Sequence, residues 1–199
     1  KFNYKVKNGK RVFIHFGAVN YLAAVYLNGE KLGNHEGGFT PFQFEITGKV
    51  KNGENSIVVK VNNARQKNGL PGLGYDWLNY GGITRDVNLI ETSNTYIKDY
   101  FVQLKKGHLD TISGSIQLDG LQPEQKLQVV IPEVNIYYKT KSNERGFATI
   151  EFPGEFKLWS PVSPKLYKVI IKTETDSLTE EIGFRSIETK EGKVLLNEK

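Results

Sequence analysis

The chain has 199 residues, a net charge of +5 and an apolar fraction of 38%, and it contains neither cysteine nor methionine. The lack of cysteine excludes disulfides and thiolate metal sites, and the scattered lysines argue against a nucleic-acid partner, which needs a concentrated basic patch. No run of about 18 apolar residues occurs, so a transmembrane helix is excluded too.

Apolar and polar residues alternate through several short runs in the first half of the chain. This period of two is typical of half-buried strands. The pairs Asn28-Gly29 and Asn52-Gly53 favour tight turns between such runs. No comparable window shows the 3.6-residue period of a helix, so we predict that this half is all-β. The alternating residues are Val12, Ile14 and Phe16; Val25 and Leu27; Phe42, Phe44 and Ile46; Ile57, Val59 and Val61; and Val87 and Leu89.

The second half, from about Tyr96, contains a series of candidate strands separated by glycine, proline, asparagine and aspartate. Seven short strands in roughly 90 residues are typical of an immunoglobulin-like sandwich. The cysteine pair of antibody domains is missing, so the relation is architectural only. The candidate strands are Tyr96–Lys105, Thr111–Leu118, Lys126–Ile131, Val134–Thr140, Gly146–Phe152, Leu166–Thr173 and Leu178–Phe184.

The polar stretch Thr92-Ser93-Asn94-Thr95 is the expected joint between the two halves. We therefore predict an all-β protein of two β-sandwiches, the first over residues 1–94 and the second over residues 95–186. Residues 187–199 are expected to form an exit segment. Because the chain contains no methionine to start it, we expect it to be a piece of a longer polypeptide.

One irregular stretch, Gly74–Val87, is unusually rich in large side chains. It combines three aromatic residues, two carboxylates and the pair Gly81-Gly82, directly after the strand alternation has stopped. A connecting loop needs only small polar residues. We therefore expect this loop to hold something.

Five motifs follow one another along almost the whole chain: Ala24–Gly33, His35–Phe42, Asn79–Val87, the Trp-Ser-Pro-x-x-Pro-x-Leu-Tyr segment Trp159–Tyr167, and Gly183-Phe184-Arg185. Together they resemble glycoside hydrolase family 2, the group that contains β-galactosidases and β-glucuronidases. A sixth segment, Leu196-Asn197-Glu198-Lys199, is similar to the family's entry into its next domain. Any one motif is weak evidence, but their common order is specific.

The resemblance implies a fold and an activity. The first domain would be a jelly-roll sugar-binding sandwich that lacks its N-terminal strands, and the exit segment would lead to an absent (β/α)₈ barrel with the catalytic glutamates. The chain would be the non-catalytic N-terminal region of a retaining exo-β-glycosidase that hydrolyses O-glycosidic bonds. It would take a terminal β-linked galactose or glucuronic acid as substrate and use no cofactor, and the whole enzyme could form a homo-oligomer.

The resemblance also assigns candidate substrate-binding residues in the Gly74–Val87 loop. Asp76 stands six residues before Gly82, the spacing at which the family places an aspartate that accepts hydrogen bonds from sugar hydroxyls. Ionised, this carboxylate would offer two acceptor oxygens. Trp77 would stack on a sugar ring or seal the joint to the barrel, and Asn79 would lie beside the sugar. The alternative for Asp76 is a structural carboxylate that caps backbone amides.

Other residues of the loop region have structural interpretations. Gly81-Gly82 and Gly37-Gly38 are expected to supply a positive φ or a close backbone approach. Arg85 and Asp86 are predicted to fix the loop as a structural pair. Tyr80 is expected to bury apolar area at a domain joint while its hydroxyl stays in water.

No catalytic or metal-binding residue is assigned. The family's reaction needs two carboxyl groups about 5–5.5 Å apart. The dipeptides Asn143-Glu144 and Asn197-Glu198 imitate its acid/base motif, but the first lies in a predicted turn and the second precedes the barrel. The members of Glu180-Glu181 face opposite sides of a strand. The three histidines have no metal-ligand spacing.

Two other functions and the compartment stay open at this point. A free-standing carbohydrate-binding module would bind sugar in isolation, and a two-sandwich adhesion protein would neither bind sugar nor continue into a barrel. The N-terminal residues lack the apolar core of a signal peptide. Both a cytoplasmic and a periplasmic or secreted location are compatible with the sequence.

Overall fold

The structure, a computed structural model, describes residues 1–199. It is built from β-strands, with one turn of 3-10 helix, which confirms the prediction of an all-β fold with β-sandwich domains. The chain divides into two compact units, Lys1–Thr92 and Ser93–Lys199. No helix has the length and apolar character needed to cross a membrane.

The first unit contains ten strands, several of them very short. They are β1 (Phe2–Tyr4), β2 (Lys10–Phe16), β3 (Val19–Asn20), β4 (Leu22–Leu27), β5 (Glu30–Glu36), β6 (Phe42–Glu45), β7 (Gly53–Asn55), β8 (Ile57–Asn62), β9 (Gly82–Ile83) and β10 (Val87–Ser93).

Two three-stranded sheets, with orders β10-β2-β6 and β5-β4-β8, supply the core of this unit. Alternate side chains of β2 and β4 point into it, since neighbouring residues of a strand face opposite sides. Asn28 and Gly29, both with positive φ, form the predicted tight turn between β4 and β5. The buried core residues are Val12, Ile14, Phe16, Val19, Ala23, Val25, Leu27, Ile46 and Val50.

Arg11 on β2 and Glu45 at the end of β6 form a two-pronged ion pair. Arg11 Nε donates to Glu45 Oε1 at 3.0 Å and Arg11 Nη2 donates to Glu45 Oε2 at 2.8 Å. These hydrogen bonds hold the pKa of Glu45 below its ordinary value. The folded state therefore keeps this carboxylate ionised at pH values where the unfolded state binds a proton.

The stability contributed by this pair should depend on pH. A carboxylate with a lowered folded-state pKa stabilises the fold above its unfolded pKa, and the contribution disappears as the pH falls through the folded value. Glu45→Gln should therefore lower the melting temperature at pH 7 and lower it less near pH 3. Because the pair is exposed and screened by solvent, we expect less than about 1 kcal/mol at pH 7. An equal effect at both pH values would contradict this account.

The second unit contains nine strands and one turn of 3-10 helix, Pro132–Val134. The strands are β11 (Thr95–Leu104), β12 (Thr111–Gly120), β13 (Lys126–Ile131), β14 (Ile136–Lys141), β15 (Phe147–Pro153), β16 (Tyr167–Lys172), β17 (Ser177–Ile182), β18 (Ile187–Lys190) and β19 (Lys193–Leu196).

The first seven of these strands form a sandwich of two sheets, with orders β11-β12-β15 and β14-β13-β16-β17. All seven correspond to strands predicted from the sequence. The strand predicted from Val134 begins at Ile136 instead, because the preceding residues form the 3-10 turn. Proline cannot donate a backbone hydrogen bond, so Pro132 interrupts the ladder there.

Phe184 lies at the centre of an aromatic cluster in the core of the second unit. Its side chain is 0% exposed, and its ring centroid lies 4.5 Å from that of Phe156 and 5.8 Å from that of Tyr167. The Tyr167 hydroxyl accepts a hydrogen bond from the backbone of Lys157 at 2.9 Å. The Gly183-Phe184-Arg185 motif therefore has a packing role.

The motif also contacts Trp159. Gly183 is required there, since a Cβ at this position would lie 2.8 Å from Trp159 Cδ1. The Arg185 guanidinium lies over the Trp159 ring, with its central carbon 5.1 Å from the ring centroid. Trp159 is half-buried by these contacts.

Strands β18 and β19 form a hairpin in the predicted exit segment. The side chain of Asn197 accepts a hydrogen bond from Ser186 N at 3.1 Å and donates one to the carbonyl oxygen of Trp159 at 3.0 Å. One asparagine therefore ties the hairpin to the sandwich.

Candidate functional site

The candidate site lies on the connection from Asn63 to Gly81, between β8 and β9 of the first unit. Connections longer than about 12–15 residues without secondary structure are uncommon in compact domains, and the ordered ones often carry function. All three candidate substrate-binding residues, Asp76, Trp77 and Asn79, lie on it.

Arg65 joins the start of this loop to its tip. The Arg65 guanidinium donates through Nη1 to the carbonyl oxygen of Tyr75 and through Nη2 to that of Trp77. A guanidinium presents its donors in a rigid planar fork, so it can bind two carbonyls at once. The two carbonyls lie on either side of Asp76 along the chain.

Three asparagines hold the loop farther on. Asn63 Nδ2 donates to the carbonyl oxygen of Asn79 at 2.8 Å, and Asn79 Nδ2 donates back to the carbonyl oxygen of Asn63 at 2.6 Å. Asn20 is buried, and its Nδ2 donates to Asn79 Oδ1 at 2.9 Å and to the carbonyl oxygen of Tyr80 at 2.5 Å. The predicted sugar contact of Asn79 stays a prediction; in this structure its side chain fixes the loop.

The glycine pair after the loop permits this arrangement. A Cβ on Gly81 would lie 2.6 Å from Asn63 Cγ, and Gly82 has a φ of +111°. Close approach and a positive φ are the two properties expected of this pair, and both are confirmed.

Asp76 itself is exposed, and its carboxylate makes no hydrogen bond or ion pair with the protein. Beside it, Trp77 is 51% exposed and its ring centroid lies 4.3 Å from that of Tyr75. Tyr80 is 73% exposed. The loop therefore presents one unpaired carboxylate among exposed aromatic rings, a combination that suits a polar ligand with apolar faces.

Arg85 and Asp86 make structural contacts, as predicted, but with separate partners and not with each other. Arg85 Nη1 donates to the carbonyl oxygen of Phe39 at 3.3 Å, whereas the backbone carbonyl of Asp86 accepts from Gly17 N at 2.9 Å. Each residue holds a different neighbouring segment.

The decoy dipeptide Asn143-Glu144 lies in the turn between β14 and β15, as predicted, with Gly146 N donating to the carbonyl oxygen of Asn143 at 2.8 Å. No cluster of three or more histidine, aspartate or glutamate side chains could hold a metal ion.

Sequence reasoning missed Arg65, Asn63 and Asn20. Their role consists of hydrogen bonds to backbone carbonyls and to Asn79, and such contacts leave no spacing pattern. The available signal was an arginine and an asparagine close together after a strand, in a segment too long to be a simple turn.

Two sequence models of one protein family match the chain. Residues 2–93 match the sugar binding domain of glycosyl hydrolases family 2, and residues 95–185 match a further domain of glycosyl hydrolases family 2. Together the two matches cover nearly the whole chain.

The similar proteins have glycosidase names. A β-galactosidase from Thermoanaerobacter pseudethanolicus is 34% identical over 208 residues, which cover 95% of this chain and 28% of that protein. A β-glucuronidase from Bacteroides fragilis is 48% identical over 90 residues, or 45% of this chain and 13% of that protein. The chain thus spans less than a third of these relatives.

A solved structure shares the fold. The Bifidobacterium dentium β-glucuronidase, complexed with coumarin-3-O-glucuronide, matches with a TM-score of 0.86 and 24% identity over 98% of this chain and 40% of that one. The two family matches establish that the chain belongs to glycosyl hydrolases family 2.

Proposed function

We propose that this chain is the non-catalytic N-terminal region of a retaining exo-β-glycosidase of the β-galactosidase or β-glucuronidase type. In the whole enzyme it supports a (β/α)₈ barrel that carries the catalytic carboxylates. It also lends the Asn63–Gly81 loop to the subsite that binds the terminal β-linked sugar. The sugar-binding domain of this proposal comprises residues 1–94, and the immunoglobulin-like domain comprises residues 95–186.

The observation that carries the proposal is the state of Asp76. Its carboxylate is exposed and unpaired, while the backbone around it is held by Arg65 and by the asparagines. A carboxylate that only capped the loop would accept hydrogen bonds from nearby amides, as Asn and Asp side chains do in turns. Asp76 accepts none, so its two oxygens stay available for sugar hydroxyls.

The neighbouring residues take supporting roles. The exposed ring of Trp77 offers an apolar face against the C–H groups of a pyranose, or against the barrel. Asn79 Oδ1 already accepts from Asn20, but a side-chain carbonyl oxygen has two lone pairs. Asn79 therefore keeps one acceptor site for a sugar hydroxyl or a bridging water.

A direct test is to assay the 199-residue chain and the full-length protein side by side on aryl β-galactosides and aryl β-glucuronides. We expect the chain alone to give no turnover above a mock-purified control, because a retaining mechanism needs a nucleophile and an acid/base. The full-length protein should hydrolyse at least one substrate with retention at the anomeric carbon.

Two results would contradict the proposal. Turnover by the 199-residue chain would place the catalytic groups within it. Sugar binding by a full-length protein that hydrolyses neither substrate class would favour a carbohydrate-binding module instead.

A further inference from the structure

The Arg65 side chain donates hydrogen bonds to the loop backbone on both sides of Asp76. The carbonyl of Tyr75 belongs to the peptide group just before Asp76, and the carbonyl of Trp77 belongs to the peptide group that follows Trp77; Arg65 donates to both. We propose that Arg65 is a positioning residue that fixes the Asp76 carboxylate for sugar binding. This inference rests on the proposed function of Asp76.

The chemistry of the contact suits arginine better than any other side chain. A hydrogen bond from an ionised donor is roughly twice as strong as one between neutral groups. The fork of a guanidinium reaches two carbonyls in fixed directions, whereas a lysine ammonium is a single point donor on a flexible stem. Arg65 makes no ion pair in the structure. The hydrogen bonds of its charged guanidinium go to the two backbone carbonyls.

The position of Asp76 depends on this contact because nothing holds its own side chain. Its carboxylate has no hydrogen-bond partner, and the rings of Tyr75 and Trp77 contact each other. The asparagine contacts hold the loop at Asn79 and Tyr80. Removing Arg65 therefore frees the loop tip while its C-terminal side stays anchored.

The expected effect follows from how sensitive catalysis is to geometry. Displacement of a binding group by about 1 Å can lower a rate about 100-fold. Arg65→Ala in the full-length enzyme should therefore lower kcat/KM by about 5- to 100-fold, and Arg65→Lys should fall between this variant and the wild type. Arg145→Ala, which removes an exposed arginine from a turn of the second unit, is the matched control and should leave kcat/KM unchanged.

A double-mutant cycle with Asp76→Asn tests the positioning role itself. If Arg65 acts through Asp76, then Arg65→Ala should change kcat/KM by less than about 2-fold in the Asp76→Asn background. Limited chymotrypsin digestion gives a readout independent of activity: cleavage after Tyr75 and Trp77 should be at least several-fold faster in Arg65→Ala, with an unchanged melting temperature.

The outcomes separate the two claims. Normal kinetics in Asp76→Asn would overturn the substrate-binding role proposed for Asp76, and the positioning role of Arg65 would fall with it. If Asp76→Asn lowers kcat/KM, three results would overturn the Arg65 inference alone. These are a wild-type kcat/KM in Arg65→Ala, additive losses of kcat/KM in the double variant, and an unchanged rate of loop digestion in Arg65→Ala. A coupled loss with faster loop digestion supports both.

Discussion

Asp76→Asn in the full-length enzyme is expected to lower kcat/KM by about 10- to 1,000-fold while the protein stays folded. The substitution keeps the size of the side chain but removes its charge and one acceptor oxygen. Charge-assisted hydrogen bonds to sugar hydroxyls are therefore replaced by weaker neutral ones. Because Asp76 is exposed and has no partner in the protein, its loss should change the melting temperature little.

The control for this experiment is Asp110→Asn, an exposed aspartate of the second unit. Its carboxylate accepts a hydrogen bond from the hydroxyl of the adjacent Thr111, at 3.1 Å, and its backbone carbonyl oxygen, which the substitution leaves in place, accepts one from Gly154 N at 2.8 Å. We expect wild-type kinetics from it. If Asp76→Asn were as active as Asp110→Asn, the loop would be a structural connection with no substrate contact.

Phe184→Ala should have the largest effect on stability, lowering the free energy of unfolding of the second unit by about 3–5 kcal/mol. The wild-type ring is 0% exposed and packs against two other aromatic rings, so truncation leaves a cavity that these neighbours cannot fill. The backbone bond from Trp159 N to the carbonyl oxygen of Phe184, at 2.8 Å, does not depend on the side chain. The loss therefore reports packing.

The measurement can be made specific to the second unit. The chain has two tryptophans, Trp77 in the first unit and Trp159 in the second. In a Trp77→Phe background, urea unfolding followed by fluorescence reports Trp159 alone. Phe101→Ala, which truncates a phenylalanine that is 58% exposed in the same unit, should change the unfolding free energy by about 0.5 kcal/mol or less. Equal midpoints for Phe184→Ala and Phe101→Ala would contradict the packing role.

The strands were predictable because alternation is a local signal. Strands such as β14 and β15 carry their own period of two, and glycine, proline, asparagine or aspartate lies between successive strands of the second sandwich. However, the local pattern does not show whether another element covers the apolar face of a strand. Val87 and Leu89 form part of β10 as their alternation predicts, yet they are 41% and 39% exposed.

The candidate site was only partly predictable. Asp76 was predicted as a site residue from its spacing to Gly82 and the family resemblance, and this stays a prediction. The roles of Gly81 and Gly82 followed from the conformational freedom of glycine. The hydrogen bonds that hold the loop in place were not predicted from the sequence. Arg65 reaches carbonyls ten and twelve residues away, and Asn20 reaches across about sixty residues, so these contacts exist only after the chain has folded.

Arg85 and Asp86 make structural contacts, as predicted, but their partners lie far away along the chain. Arg85 binds the carbonyl oxygen of Phe39, which lies 46 residues earlier in the sequence.

The most direct test of the central claim is a crystal structure of the full-length enzyme with a bound monosaccharide lactone. The lactone should be derived from galactose or glucuronic acid, whichever inhibits the enzyme. We expect an Asp76 carboxylate oxygen within about 2.6–3.2 Å of a sugar hydroxyl, with the Tyr75 and Trp77 carbonyls still bound to Arg65. A sugar whose hydroxyls are all bound by other residues, with Asp76 in bulk solvent or packed at a domain joint, would contradict the account.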